Sequence, residues 1–286
     1  MALAALKRKL DIQQIKAIAV DMDGTVLLPG AELSDRTIAV FKRFMERGLG
    51  VIIATGRSVQ SAEPFRAALG AEGAMVYFNG AELVAMPEQK ILHRAFLPHD
   101  IAVECALIAR RREIHFHVFF SDNEDSILES LVAENPSAAA TVYKNRTGLD
   151  FQFENIYERL CAPQPPVCIK GLFIDEPAGL EEIRAELKSK FGGRVNIVKS
   201  ADTFLEILNV DASKGNTLVL AMKERGVHAN EIIAFGDEEN DLSMFAVAGF
   251  ACAPSSAPEY IKAAADLVIA SNAENGVAEF LEHNFF

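Results

Sequence analysis

The most constraining feature of the sequence is a set of short, unalternating apolar runs, each followed at once by polar residues. They are residues 16–21 (KAIAVD), 50–55 (GVIIAT), 231–235 (EIIAF), 250–253 (FACA) and 267–270 (LVIA). Such runs are typical of parallel strands, because helices cover both faces of the sheet. Helical patterns lie between them, and strand–helix–strand units imply parallel pairing. The two ends of the chain are therefore predicted to be halves of one α/β sheet.

Helix starts and turns can be recognised in the same segments. Helices are predicted at about 34–48, 59–69, 213–225 and 257–265, with a short one after residue 240. Ser34 is a suitable N-cap for the first of them. Between the runs AMVYF and AELVAM, the pair Asn79-Gly80 predicts a β-hairpin, because Asn-Gly favours a tight turn between antiparallel strands.

The region between about Val84 and Leu208 has a different pattern, in which the candidate strands alternate or carry polar residues. The predicted strands are HRAF, IHFHVFF, TVYK, VCIKGLFID, RVNIV and TFLEIL, and the predicted helices are Asp100–Arg112, Asp125–Glu134 and Ala178–Phe191. NPSAAA and CAPQPP are predicted to be loop-like breaks. Alternation indicates a sheet with one covered face, so the middle is predicted to be an inserted α+β module. The predicted domain limits are 1–83 and 209–286 for the core and 84–208 for the insertion.

Composition narrows the function. The net charge of −12 and the absence of a basic stripe argue against a nucleic-acid partner. No run approaches the roughly 18 apolar residues that a membrane-spanning helix requires, so no membrane association is expected. The first residues lack the charge-then-apolar order of a secretory signal, which favours a cytoplasmic location. The four cysteines lack the spacing of a zinc site and are expected to be reduced thiols.

Acidic residues follow two of the apolar runs. Asp21 and Asp23, with Gly24 next, come directly after the first run, and Asp237 and Asp241 belong to an acidic cluster after EIIAF. Ligands of open α/β sheets bind beyond the C-terminal ends of the strands, so both groups are expected at one crevice. Carboxylates held close together there could bind a hard divalent cation. Taken singly, each motif is also compatible with a solvated loop.

Two further motifs carry groups suited to an anion. Residues 55–57 (TGR) end the second run and offer a hydroxyl and a free amide to a phosphate oxygen. Residues 213–215 (SKG) open a helix, where the helix dipole disfavours a lysine unless an anion lies nearby. An ordinary turn and a solvent-exposed lysine are the alternatives for these two motifs.

In their order along the chain, DMDGT (21–25), ATGR (54–57), SKG (213–215) and GDEEND (236–241) resemble the four motifs of the haloacid dehalogenase superfamily. The insertion between the second and third motifs resembles the type II cap of that superfamily. Asn79-Gly80-Ala81 and the closing DLVIASNAENGVAEFL are similar to its Cof-like sugar phosphatase group. The resemblance implies a Rossmann-like parallel core with an inserted α+β cap. It also implies a magnesium-dependent phosphatase that acts on a small phosphorylated metabolite such as a sugar phosphate.

The resemblance also implies roles for the motif residues. Asp21 is expected to attack phosphorus, and a carboxylate needs no base for this because it is already ionised at neutral pH. Asp23 is expected to be the general acid and then the general base. The expected Mg²⁺ ligands are Asp21, the backbone carbonyl of Asp23, and Asp237. The expected phosphate contacts are Gly24, Thr25, Thr55, Gly56, Lys214 and Asn240, with Asp241, Arg57 and Asn79 as supporting residues.

Two alternatives stay open at this point. The first is a phosphomutase or phosphotransferase that uses the same phosphoaspartate, and the second is a noncatalytic sensor of phosphorylated metabolites. A nicotinamide-binding protein is disfavoured, because DMDGTVLLPG lacks the GxGxxG turn. Within the cap, Lys170 is predicted to lie on a solvated face of its strand, with a contact to the substrate as the alternative. Phe116, Val118 and Phe120 are predicted to form the cap core.

Overall fold

A five-stranded parallel sheet forms the centre of the molecule. The computed structural model describes residues 8–121, 126, 127 and 129–286. The strands of this sheet are β1 (Ala17–Val20), β2 (Gly50–Ile53), β12 (Ile232–Phe235), β13 (Phe250–Pro254) and β14 (Leu267–Ile269). Their order is β14-β13-β12-β1-β2, and every pairing is parallel, as predicted from the apolar runs. The two ends of the chain therefore meet between β1 and β12.

The helices that cover this sheet begin where the sequence places suitable caps. They are α1 (Asp35–Glu46), α2 (Val59–Leu69), α7 (Lys214–Arg225), α8 (Leu242–Val247), α9 (Glu259–Ala264) and α10 (Gly276–Phe285). Ser34 caps α1 by accepting a hydrogen bond from the backbone N–H of Thr37, and Ser213 caps α7 in the same way. The predicted starts of both helices are confirmed.

A three-stranded antiparallel sheet extends the core beyond β2. It contains β3 (Gly73–Tyr77), β4 (Glu82–Met86) and β5 (Lys90–Arg94), and a bridge between Ala54 and Val76 joins it to the chain that follows β2. The predicted hairpin at Asn79-Gly80 is confirmed. Gly80 has a φ of +97°, and a Cβ there would lie 2.2 Å from the carbonyl oxygen of Ser213. Glycine thus lets the hairpin turn pack directly against the start of α7.

The middle of the chain forms a separate six-stranded sheet in the order β10-β11-β9-β6-β7-β8. Its strands are β6 (His115–Ser121), β7 (Glu129–Ala133), β8 (Gln152–Phe153), β9 (Val167–Ile174), β10 (Val195–Ala201) and β11 (Phe204–Asn209). Its helices are α3 (His99–Arg112), α4 (Ala138–Thr147), α5 (Ile156–Leu160) and α6 (Pro177–Phe191). Neighbouring strands are antiparallel except β7 and β8. The inserted α+β cap is therefore confirmed, with Phe116, Val118 and Phe120 in its core.

Three details of the predicted cap are wrong. TVYK lies in helix α4, and the break predicted at NPSAAA runs into the same helix. Ser137 caps α4 by accepting from the N–H of Ala140, and the packing of Ala140 and Tyr143 outweighs the β-branched residues. The helix predicted at Asp125–Glu134 is also wrong where it can be compared, because residues 129–133 form β7 against β6. Residues 125 and 128 of that prediction lie outside the described residues.

The predicted domain limits stay predictions. The limit between residues 83 and 84 falls within β4, and the limit between 208 and 209 falls within β11. Across the described part of the chain, no helix has both the length and the apolar character needed to cross a membrane.

Candidate active site

Lys214 joins three of the motifs at the C-terminal end of β1. Asp21 directly follows that strand, and its N–H donates to the carbonyl of Phe235, which continues the pairing of β1 with β12. The Lys214 ammonium, at the first position of α7, lies 2.6 Å from Asp21 Oδ1 and 2.7 Å from Asp241 Oδ1. Its side chain is fully buried. The two carboxylates supply the anions that a lysine at a helix N-terminus requires.

The loop after β12 is held by its own acids. Asp241 Oδ2 accepts hydrogen bonds from the backbone N–H groups of Asp237 (2.8 Å) and Glu238 (3.0 Å). The hydroxyl of Thr25 donates to Asp237 Oδ1 at 2.6 Å. Gly24 has a φ of +80°, and a Cβ there would lie 2.1 Å from Asp237 Oδ2. The turn after Asp23 therefore requires glycine both for its conformation and for its contact with Asp237.

Three carboxylates lie close enough to share a cation. Each of Asp21, Asp237 and Asp241 offers one oxygen, and these oxygens lie within 4.8 Å of one another. Asp241 is already engaged by Lys214 and by two backbone amides, which leaves Asp21 and Asp237 as the available pair. Because Lys214 alone does not neutralise three carboxylates, this donor set fits a hard divalent cation that prefers oxygen ligands.

Burial and mutual repulsion raise the pKa values of Asp21 and Asp237. Burial, followed by the charges of Asp21 and Asp241, raises the pKa of Asp237 to about 9. Burial raises the pKa of Asp21 to about 7, and the nearby Lys214 ammonium opposes that rise. For Lys214, burial lowers the pKa, but the two carboxylates outweigh this effect and the net shift is upward. The lysine therefore stays cationic, and its single positive charge does not offset the mutual repulsion of the carboxylates.

Arg57 holds the second aspartate of the first motif. Its Nε and Nη2 lie 2.7 Å and 2.8 Å from the two carboxylate oxygens of Asp23, and Nη1 donates to Ser61 at 3.0 Å. Burial alone would raise the pKa of Asp23, but the hydrogen bonds and charge of Arg57 outweigh it and lower the pKa. The pair therefore favours the carboxylate form of Asp23 and fixes its orientation.

The predicted phosphate contacts of the second and fourth motifs lie beside this pair. The Thr55 hydroxyl accepts from the N–H of Arg57 at 3.1 Å, and the Thr55 carbonyl accepts from the N–H of Asn79 at 2.9 Å. The Asn240 amide donates to Asn79 Oδ1 at 2.9 Å. Asn79 Nδ2 and Asn240 Oδ1 are buried and have no partner in the described part of the chain. The site thus keeps unused amide groups beside the strand ends.

The cap closes over the other side of the site. A cavity of about 50 Å³ lies between the core and the cap. Its core lining consists of Asp21, Asp23, Gly56, Arg57, Glu238 and Asn240, and its cap lining consists of Tyr143, Arg146, Thr147, Leu172, Ser200, Phe204 and Glu206. No sequence motif predicted any of these cap residues. Three of them belong to α4, whose Ser137 cap and terminal Gly148 are signals that could have revealed the helix.

The prediction that Lys170 lies on a solvated face is wrong. Its side chain is 1% exposed, because β9 turns it toward the core. The ammonium donates to the carbonyl of Gly56 at 2.8 Å and lies 2.7 Å from Glu206 Oε2. A lysine of the cap sheet thus contacts the backbone of the second motif, and a partner carboxylate balances its buried charge.

Comparison with known proteins gives the family. A model of haloacid dehalogenase-like hydrolases matches residues 18–281, so the chain belongs to this family. A putative phosphatase of Haemophilus influenzae is 30% identical over 282 residues, which cover 94% of this chain and 98% of the relative. An HMP-PP phosphatase of Serratia proteamaculans is 30% identical over 267 residues, 93% of each chain. The chain is a phosphatase of the haloacid dehalogenase type.

Solved structures agree with this assignment. A haloacid dehalogenase-like hydrolase from Bacteroides thetaiotaomicron has a TM-score of 0.81 and 26% identity, over 95% of this chain and all of the other. A HAD subclass IIB sugar phosphatase has a TM-score of 0.79 at 20% identity, over 94% of this chain and 98% of the other. The second comparison shows the shared fold, including the cap.

Proposed function

We propose that the protein is a magnesium-dependent phosphatase that hydrolyses a small phosphorylated metabolite through a phosphoaspartate on Asp21. The observation that carries the proposal is the buried contact of Lys214 with both Asp21 and Asp241 at the end of β1. That contact supports the proposal because it joins Asp21, the proposed nucleophile, to a fixed cation and one further acid at the end of β1. Such an edge is where ligands of open α/β sheets bind.

The reaction has two steps in this proposal. A carboxylate oxygen of Asp21 attacks phosphorus, the bond from phosphorus to the ester oxygen breaks, and Asp23 delivers a proton to the departing oxygen. Asp23 then takes a proton from water, which attacks the phosphoaspartate and releases inorganic phosphate. General acid and base catalysis of this kind contributes about 10² to 10⁴ in rate.

Arg57 bears directly on the role of Asp23. The bidentate pair lowers the pKa of Asp23 and so favours the basic form, which is the form that takes a proton from water. The acid half of the role requires Asp23 to be protonated, which weakens its pair with Arg57. We therefore assign Arg57 to holding Asp23 in line with the phosphate between the two steps.

The remaining motif residues bind the phosphoryl group and the metal in this proposal. Asp21, Asp237 and the backbone carbonyl of Asp23 would hold Mg²⁺, which supplies neutralisation of the negative charge shared by nucleophile and phosphate. The proposed phosphate contacts are Gly24, Thr25, Thr55, Gly56, Lys214 and Asn240. Asp241 orients Lys214, and Asn79 orients Asn240, as their hydrogen bonds support.

The substrate class is proposed from the relatives. The names of two similar proteins refer to HMP-PP and to sugar phosphates, both of which are small phosphorylated molecules. The cavity between core and cap, which Asp21 and Asp23 line, is the proposed binding place of such a molecule. We further propose a cytoplasmic location, which the buried free thiols of Cys105, Cys168 and Cys252 support.

Release of inorganic phosphate from a panel of phosphorylated metabolites tests the proposal. Wild type and Asp21→Asn are assayed with Mg²⁺ and with a chelator, and circular dichroism shows that both are folded. Hydrolysis that needs both the metal and Asp21 is the expected result. Transfer of the phosphoryl group to a sugar hydroxyl, with no free phosphate, would replace the phosphatase by a phosphotransferase. Binding without turnover across the panel would indicate a sensor.

A further inference from the structure

Two guanidinium groups line the cavity between core and cap, and they differ in how they are engaged. All three nitrogens of Arg57 are used: they contact both oxygens of Asp23, the hydroxyl of Ser61 and the carbonyl of Arg146. Arg57 therefore has little capacity left for a substrate without giving up the carboxylate it orients. Arg57 is therefore assigned to orienting Asp23 rather than to binding the substrate.

Arg146 is available by contrast. Its Nε lies 3.5 Å from Asp23 Oδ1, and within the described ranges its guanidinium makes no shorter polar contact. The side chain is 36% exposed and lies over the ring of Phe204, with its Cζ 5.3 Å from the ring centroid. It projects from the last turn of α4, so the cap carries it. A cation thus faces the cavity beside Asp23 and retains unused donors.

From this placement we infer that Arg146 selects substrates whose leaving portion carries a second anionic group, a carboxylate or a phosphate, within a few bonds of the ester oxygen. The inference rests on the proposed function, since it takes Asp23 to mark the position of that oxygen. An arginine fork recognises either oxyanion by paired hydrogen bonds. The aromatic ring of Phe204 limits the directions in which the guanidinium can turn.

The acidic side chains of the lining oppose an anionic substrate unless they are paired. Glu206, which also lines the cavity, is offset by Lys170 at 2.7 Å. Asp21 is paired with Lys214, and Asp23 with Arg57. Glu238 is the remaining opposing charge of the described lining, and it lies on the core loop after β12 rather than on α4. A preference for cationic leaving groups would be the consequence if Glu238 dominated.

Matched phosphate compounds test the inference. 2-Phosphoglycolate supplies a second carboxylate, inorganic pyrophosphate supplies a second phosphate, phosphoethanolamine supplies a cation, and 2-hydroxyethyl phosphate supplies neither charge. We expect wild type to prefer the doubly anionic compounds in kcat/KM. Arg146→Gln should reduce the preference for them over 2-hydroxyethyl phosphate by about 10- to 100-fold, as the loss of a charge-assisted hydrogen bond implies. The change should lie mainly in KM, and Arg146→Lys should restore part of it.

A cation on the same helix provides the control. Lys144 lies two residues earlier, is half-exposed and pairs with Asp150, so Lys144→Gln should leave the substrate preference unchanged. The two doubly anionic compounds separate carboxylate from phosphate recognition. Equal preference in wild type and Arg146→Gln, or a wild-type preference for phosphoethanolamine, would overturn the assignment of Arg146 while the phosphatase stands. A folded wild type that hydrolyses none of the four compounds or the wider panel would overturn both proposals.

Discussion

The core side and the cap side of the cavity are built on different principles. On the core side, Asp21, Asp237 and Lys214 come from strand ends and a helix start. Lys214 pairs with Asp21 in a buried contact, and Asp237 accepts a hydrogen bond from Thr25. On the cap side, Tyr143, Arg146 and Phe204 come from a helix and a strand that no short motif marks. The core side offers a fixed set of charges, and the cap side offers aromatic side chains and the Arg146 guanidinium, whose contact with Asp23 is long at 3.5 Å. The residues proposed for the chemical steps are thus marked by short local motifs. The residues proposed for substrate selectivity are brought together by long-range packing.

The largest effect expected on the core side comes from Asp23→Asn. The variant keeps the shape of the side chain but cannot transfer a proton, so turnover should fall by about 10² to 10⁴. Because Asp21 remains, a phosphoenzyme should still form, and rapid quench followed by mass spectrometry would detect it. Asp21→Asn is the control and should form none. Equal absence of the intermediate in both variants would contradict the assigned roles.

The contact between the two sides is tested by Lys170→Met. The change leaves Glu206 buried without its cation, which should lower the free energy of unfolding by about 3 to 5 kcal/mol. Urea unfolding, followed by circular dichroism, measures the effect. The double variant Lys170→Met with Glu206→Gln removes both charges and should regain at least half of the loss. A single variant as stable as the double one would show that the pair is not an energetic unit.

A pH effect is expected where strand β4 meets the cap. Glu82 is buried and lies 2.7 Å from Arg94. Burial raises its pKa from 4.5 to about 7 although Arg94 opposes the rise. Burial, and then the charge of Glu82, raises the pKa of Glu129 on β7 to about 9. Since ionisation is easier in the unfolded chain, the contribution of Glu82 to stability is complete below about pH 4.5 and is lost as the pH rises through 7.

Denaturant unfolding at a series of pH values measures this contribution. For Glu82 alone the free energy of unfolding should fall by about 3 kcal/mol between acidic and mildly alkaline pH. Glu82→Gln is the control, and its unfolding curve should depend less on pH over the same range. A wild type and a variant with parallel pH profiles would show that Glu82 titrates at its ordinary pKa.

The smallest expected effect is that of Ser61→Ala. The Ser61 hydroxyl donates to the carbonyl of Thr147 at 2.8 Å and accepts from Arg57, so it links α2 of the core to the end of α4. Losing these bonds should cost about 1 kcal/mol, seen as a few-fold fall in kcat/KM. Thr141→Ala is the matched control, because the hydroxyl of Thr141 bonds only within the start of α4 in the described structure. Equal effects of the two changes would place the link elsewhere.

The sequence was most informative where local rules decide the structure. The apolar runs predicted all five parallel strands, and Ser34 and Ser213 marked two helix starts. The position of the motifs at strand ends and a helix start also predicted one shared crevice, and Lys214 lies there in contact with Asp21 and Asp241. These features depend on strand ends and caps, whose chemistry lies within a few residues of each position.

The sequence was least informative in the cap. Thr141, Val142 and Tyr143 favour a strand by intrinsic preference, and the helix α4 that they form is marked in the sequence at its ends alone, by Ser137 and Gly148. Lys170 alternates with apolar neighbours as a solvated residue would. This pattern does not reveal that Glu206 and the carbonyl of Gly56 lie on the covered face and bind the ammonium. The cap residues that are proposed to determine substrate specificity were therefore the hardest to predict from the sequence.

The pairing of β1 with β12 has a consequence for how the molecule is made. Ala17 lies between Gly50 of β2 and Ile232 of β12, so β1 can pair early with β2 but lacks its second neighbour until most of the chain has left the ribosome. The strands of the six-stranded sheet lie between residues 115 and 209, and they are complete earlier. Contacts of high sequence separation form late because their loops are costly to close. During synthesis, the cap can therefore fold before the parallel core sheet, which is completed when the strands that follow the cap have been made.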